Sequence, residues 1–241
     1  YNRATYSPGE PNILQLVPTT VYGDSRFPAF FHQKPSPTGI PSTTPQLTKD
    51  SIWDLPQMDH AFVDTPAFYQ RLIGAIPPID FTTGFNIATG LELETLVTCS
   101  DGSFDPDKKL GSHGWIISTT DKITLAQGSG PADGHPNYMS SYRAELGGLL
   151  AILFIIYRIC SHYEVESGKA KFHCDNKGVI KNVFSTSTPT ISQFLHTDYD
   201  LVVIAKRLLR LLPVTIVAEW VKGHYTGDNR EHKHDLNDMA D

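Results

Sequence analysis

The chain has few cysteines, little charge, no basic cluster and no long uninterrupted apolar run, and each shortage narrows what it can be. Its three cysteines, Cys99, Cys160 and Cys174, are odd in number and far apart, with no C-x-x-C pair. That argues against a disulfide framework or a zinc ribbon and fits a reducing, intracellular setting. No charged-then-apolar leader opens the sequence. The longest apolar run, Leu146 to Tyr157, falls short of the ~20 residues that span a bilayer and reads as a buried helix, so no membrane partner is expected. A formal net charge of −6 speaks at first against nucleic acid. Bound metal could neutralise part of that acid, so global charge is a weak guide.

What is present divides at about residue 90. Residues 1–90 begin with proline-rich, poorly periodic stretches such as "KPSPTGIPSTTPQ", which resist both helix and strand ladder. They read as an extended connection or linker region, partly ordered, with a short helix around "TPAFYQRLIG". From Leu91 onward the periodicity sharpens. Strands are predicted at "LELETLVTCS", "GSHGWIIST" and "KITLAQGSG", followed by a long serine-capped helix from "SSYRAEL". "AKFHC" is a strand, "NKGVIKNVF" and "DYDLVVIAKRLLRLL" are helices, "VTIVAEWV" is the last strand and "HKHDLNDMAD" begins a last helix. This order, β-β-β-α-β-α-α-β-α, predicts a mixed α/β sheet with flanking helices.

Four acids occupy informative places on that framework. Asp101 follows the first strand in "SDGS", with Gly102 expected to permit a sharp turn; Glu145 begins the long helix; Asp175 ends the fourth strand; Asp241 lies on the last helix. Each also has a local explanation: a turn residue, a helix N-terminus favouring an acid, a cap, a chain end. Gathered at one end of a sheet, however, four carboxylates would repel one another unless a hard cation neutralised them.

The motifs "SDGS", "SYRAEL", "CDNKGVI", "EWVKGH" and "NDMAD", in this order, resemble the ribonuclease H family over roughly residues 91–241. The likeness is greater to ribonuclease H domains of non-LTR-type retroelement reverse transcriptases than to free-standing enzymes. It implies a ribonuclease H-like five-stranded mixed sheet and a metal-dependent endonuclease cutting the RNA strand of RNA–DNA hybrids. Asp101, Glu145, Asp175 and Asp241 match the family's metal ligands, binding two Mg²⁺ ions or Mn²⁺ in their stead. His224, in "VKGH", matches its loop histidine that assists proton transfer or product release.

Ser140, Ser141, Tyr142, Arg143, Asn176 and Lys177 are candidate contacts to the hybrid, although capping explains the serines and a structural role suits Arg143. The segment "FSTSTPTISQFLHTDYD" carries no basic residue where free-standing members often have a duplex-gripping insertion. Weak binding by this domain alone is therefore expected, with a tethered upstream reverse transcriptase domain supplying grip. His232 and His234 make a poor zinc pair and are expected to be solvated loop residues. Starting on Tyr1 and stopping at Asp241, the chain reads as a piece of a longer protein cut within its last helix, whose end should fray and lower activity. Two other readings stand beside the hydrolase. A degenerate binding or scaffold module would not need all four acids, and a transposase or integrase would carry its glutamate on a late helix.

Overall fold

The computed structural model describes Phe62, residues 65–74 and residues 79–241; the proline-rich stretches expected to be extended lie outside these. Five strands build one sheet: β1 (Leu96–Asp105), β2 (Leu110–Thr119), β3 (Thr124–Pro131), β4 (Lys169–Cys174) and β5 (Thr215–Trp220). Their order is β3-β2-β1-β4-β5. The first three run as an antiparallel meander, while β4 and β5 add parallel to β1 and to each other. This is the mixed five-stranded sheet that the sequence predicts, and its parallel half brings the end of β4 beside the middle of β1, with the end of β5 next to that of β4.

Helices follow the chain as α1 (Ala67–Ile73), α2 (Phe81–Glu92), α3 (Ser141–His162), α4 (Lys177–Phe184), α5 (Ile191–Phe194), α6 (Tyr199–Leu211) and α7 (His232–Ala240). Helix α3 starts where Ser140 accepts a hydrogen bond from the Arg143 N–H, which satisfies an otherwise orphan donor. At 22 residues α3 is long and apolar enough to cross a membrane, longer than its apolar run alone suggests, but 83% of its most apolar window is buried inside the fold. It packs on β1 and β2, with α1, α2 and α6 covering its other sides. Gly148 lets it approach the sheet, since a Cβ there would lie 2.7 Å from Ser100 Cβ. The opposite sheet face carries a smaller core of Val97, Cys99 and Ile116 beneath Leu236 and Ala240 of α7.

Two boundaries differ from the sequence expectation. Helix α2 runs through Glu92, so the "LELE" alternation belongs to a helix end, and β1 starts only at Leu96. Its buried positions Gly84, Ile87, Ala88 and Leu91 follow a helical period that low-propensity threonines and glycines obscure. The packed structure also starts before residue 91. Tyr69, Leu72 and Ile73 of α1 are buried, and the Tyr69 ring stacks on Phe154 with centroids 4.0 Å apart. Carbonyls at the end of α1, which have no partner within the helix, are taken up by β2. Ile73 O accepts from Trp115 Nε1 at 3.1 Å, and Leu72 O lies 2.7 Å from His113 Nε2.

Candidate active site

One cleft of about 700 Å³ opens at the end of the sheet, and Asp101, Glu145, Asp175, His224 and Asp241 all line it. Asp101 does not sit past its strand, as the "DG" pair suggests. It lies within β1 opposite Gly114, and the strand continues to Asp105. Gly102 serves close approach: a Cβ there would collide with the backbone N of Glu145 and lie 2.7 Å from Ala144 C. The missing side chain lets the first turn of α3 press against β1 and brings Glu145 to the cleft. Gly114 does the same for α7, because a Cβ there would overlap Ala240 O. Two glycines thus set two of the four acids against the sheet.

The carboxylates are held in distinct ways. Asp101 is 8% exposed; its Oδ1 accepts from the Gly102 N–H at 2.7 Å and its Oδ2 from Asn237 Nδ2 at 3.3 Å. Burial, then the Asp175 charge, pushes its carboxyl up to about 6. Glu145 is 3% exposed, and burial followed by the Asp101 and Asp175 charges raises it to about 9. Asp175 follows the last residue of β4, and its carbonyl accepts from Trp220 Nε1 at 2.8 Å. Asp241 lies past α7, with Oδ2 3.8 Å from His224 Nδ1. His224 adopts φ 46°, a left-handed conformation that a residue with a side chain takes at a cost of about 1–2 kcal/mol.

Carboxylate oxygens gathered in this way are the donor type that hard cations take. Glu145, Cys174 and Asp175 offer one atom each within 4.8 Å of one another. The Cys174 thiol is pushed well up by burial and by Glu145 and donates to Glu145 Oε2 at 3.6 Å. That contact orients Glu145, and the other donors of the cleft acids are all oxygens. Oxygen donors of concentrated negative charge suit Mg²⁺ or Mn²⁺ and not zinc.

Of the hybrid-contact candidates, Ser141, Asn176 and Lys177 line the cleft. Ser140 does not; its hydroxyl caps α3. Tyr142 turns to α4, where its hydroxyl accepts from Asn182 Nδ2 at 2.9 Å. Arg143 is corrected to a structural residue. Its guanidinium is 2% exposed and donates to Asp198 at 3.2 Å, to Asp200 at 2.9 Å and to the Asp133 carbonyl at 2.6 Å, tying α3 to α6. The expectation for the last histidines is likewise corrected. His234 is buried, accepts from the Glu231 N–H and stacks on Tyr225, while His232 Nε2 lies 3.3 Å from Ser118 Oγ. Ser103, Phe104 and Trp220 also line the cleft; Ser103 and Trp220 stand inside the "SDGS" and "EWVKGH" motifs but are not among the sequence candidates, and Phe104 carries no signal beyond neighbouring the first.

No protein-family model matches the chain, and no curated protein matches it. Solved structures do. RNase H1 from the halophilic archaeon Halobacterium salinarum is 18% identical over 53% of this chain and 85% of that one, with a TM-score of 0.39. The N-terminal RNase H domain of a Mycobacterium tuberculosis protein is 21% identical over 60% of this chain and 94% of that one, with a TM-score of 0.40. An RNase H1 isolated from compost is 12% identical over 60% of this chain and 91% of that one, with a TM-score of 0.45. Likeness this distant leaves the chemistry of the cleft to its own residues.

Proposed function

We propose that this chain is a metal-dependent endonuclease that hydrolyses the RNA strand of RNA–DNA hybrids. The observation that supports it most is the convergence of Asp101, Glu145, Asp175 and Asp241 in one open cleft, two of them with strongly raised pKa values. Acids that destabilise one another this way gain most from a cation. The four would hold two Mg²⁺ ions, or Mn²⁺ in their place, and such ions when bound supply Lewis-acid activation of water and charge neutralisation at the leaving oxygen.

The chain's own residues do the rest. The Gly102 N–H and Asn237 amide fix both oxygens of Asp101, and the Cys174 thiol fixes Glu145. Ser141, Asn176 and Lys177 at the cleft edge bind the sugar-phosphate backbone and sense 2′-hydroxyls. His224, exposed beside Asp241, carries protons between the cleft and solvent. The products are a 3′-hydroxyl and a 5′-phosphate.

We place this activity in an intracellular reverse-transcribing element. The motif resemblance and the absence of Lys and Arg from residues 184–200 support that setting. A polymerase domain tethered upstream through residues 1–90 would supply the missing grip. The test is cleavage of an end-labelled RNA–DNA hybrid with Mn²⁺. Cuts confined to the RNA strand, and reduced by more than about 10²-fold in Asp175→Asn, are expected, since even residues behind a ligand cost 10- to 100-fold. A folded, metal-binding chain that cuts nothing would be a scaffold instead.

A further inference from the structure

Trp220 ends β5, and its side chain is the large apolar group that packing at the cleft leaves least explained, at 44% exposure. Its neighbour Glu219 faces His173 on the α7 side of the sheet, so Trp220 emerges on the other side, against the start of α4. There the indole N–H donates to Asp175 O at 2.8 Å, which fixes the ring plane. The Lys177 ammonium lies 4.3 Å from the ring centroid. Among the side chains lining the cleft, Lys177 is the one lysine or arginine, against four carboxylates.

We propose that Trp220 is a positioning residue for substrate grip: its ring holds the Lys177 ammonium at the cleft rim, where it meets a backbone phosphate of the duplex. Lysine has a flexible four-carbon stem, and the acids beside it attract its charge inward. An ammonium drawn among them would neutralise the cleft without touching substrate. The negative face of a fixed indole counters that pull and keeps the charge available at the rim. The N–H bond to Asp175 O ties this rim charge to the loop that carries a metal-site acid.

The inference rests on the hybrid-hydrolase reading, and the experiment separates the two. Hybrid cleavage is measured as kcat and KM across a salt series for the full chain, Lys177→Met, Lys177→Arg, Trp220→Leu, Trp220→Phe and the Lys177→Met/Trp220→Leu double variant. Lys177→Met keeps the stem and loses the charge. It should raise KM roughly five- to tenfold at about 100 mM salt and make the slope of log(1/KM) on log[salt] shallower by about 0.9, the contribution of one phosphate. Trp220→Leu should shift KM and slope in the same direction with the lysine still present, and the double variant should be no worse than Lys177→Met. Lys177→Arg, which keeps a cation over the ring, should lose less than Lys177→Met, and Trp220→Phe, which keeps a ring without the N–H that fixes it, should fall between Trp220→Leu and the unsubstituted chain in KM and slope. Additive losses in the double variant, or an unchanged salt slope in Trp220→Leu, overturn the positioning role while leaving the hydrolase intact. A wild-type chain that cuts no hybrid overturns the hydrolase reading and this inference with it.

Discussion

At the scale of single residues, burial decides what a charge does. Asp101 and Glu145 are held above their ordinary range, at about 6 and about 9, by burial and by one another's neighbours. A carboxyl raised in the folded state is uncharged in both states at low pH, so no penalty exists there. The penalty appears as pH climbs past the unfolded values and is complete above the folded ones. Metal-free protein should therefore lose stability progressively from about pH 4 to about pH 9, and saturating Mg²⁺ should remove most of that slope; thermal melts with and without chelator read both. Arg143 shows the converse. Its two buried or half-buried aspartate partners make it a pin between α3 and α6 rather than a contact for nucleic acid. Arg143→Ala takes the arginine from buried Asp198, which keeps the exposed His196 at 3.5 Å beside it, and should cost about 3–5 kcal/mol by denaturant titration.

At the scale of elements, the cleft exists because two helix ends lie unusually close to the sheet. Gly102 and Gly114 make room for α3 and α7 respectively. Gly102→Ala should destabilise the fold by about 1–3 kcal/mol through overpacking. It should also weaken divalent-ion binding, because the displaced turn carries Glu145; calorimetric titration of the folded variant with Mn²⁺ checks this. Gly114→Ala acts on Asp241 through the same geometry and should weaken binding less, since Asp241 is the more exposed acid.

At the scale of the whole molecule, α1 and α2 belong to the packed body. They bury Tyr69, Leu72, Ile73, Ile87 and Leu91, and α1 takes hydrogen bonds from His113 and Trp115. Full burial of one such side chain contributes about 1.5–3 kcal/mol, so losing the four that precede Leu91 removes about 6–12 kcal/mol, as much as the ~5–15 kcal/mol by which a whole domain is stable. A chain starting at Leu91 should accordingly be insoluble or melt far below one starting at residue 65 or earlier, as thermal denaturation would show.

The sequence by itself carried the strand meander, the long capped helix and the last two strands, because periodicity and capping are local and survive in one dimension. It also carried the four acids that the fold gathers in one cleft, since motif order is linear. It hid α2, whose helical period is written in glycine, alanine and threonine, and it assigned Gly102 to a turn because a DG pair looks the same in a loop and in a strand pressed by a helix. Only tertiary structure decided that Arg143 and His234 are interior, that Cys174 braces Glu145, and that Trp220 lies beneath Lys177. Each of those depends on which side chains meet across strands and helices distant in sequence, and burial, the quantity that sets their charge and their partners, is a property of the packed chain alone.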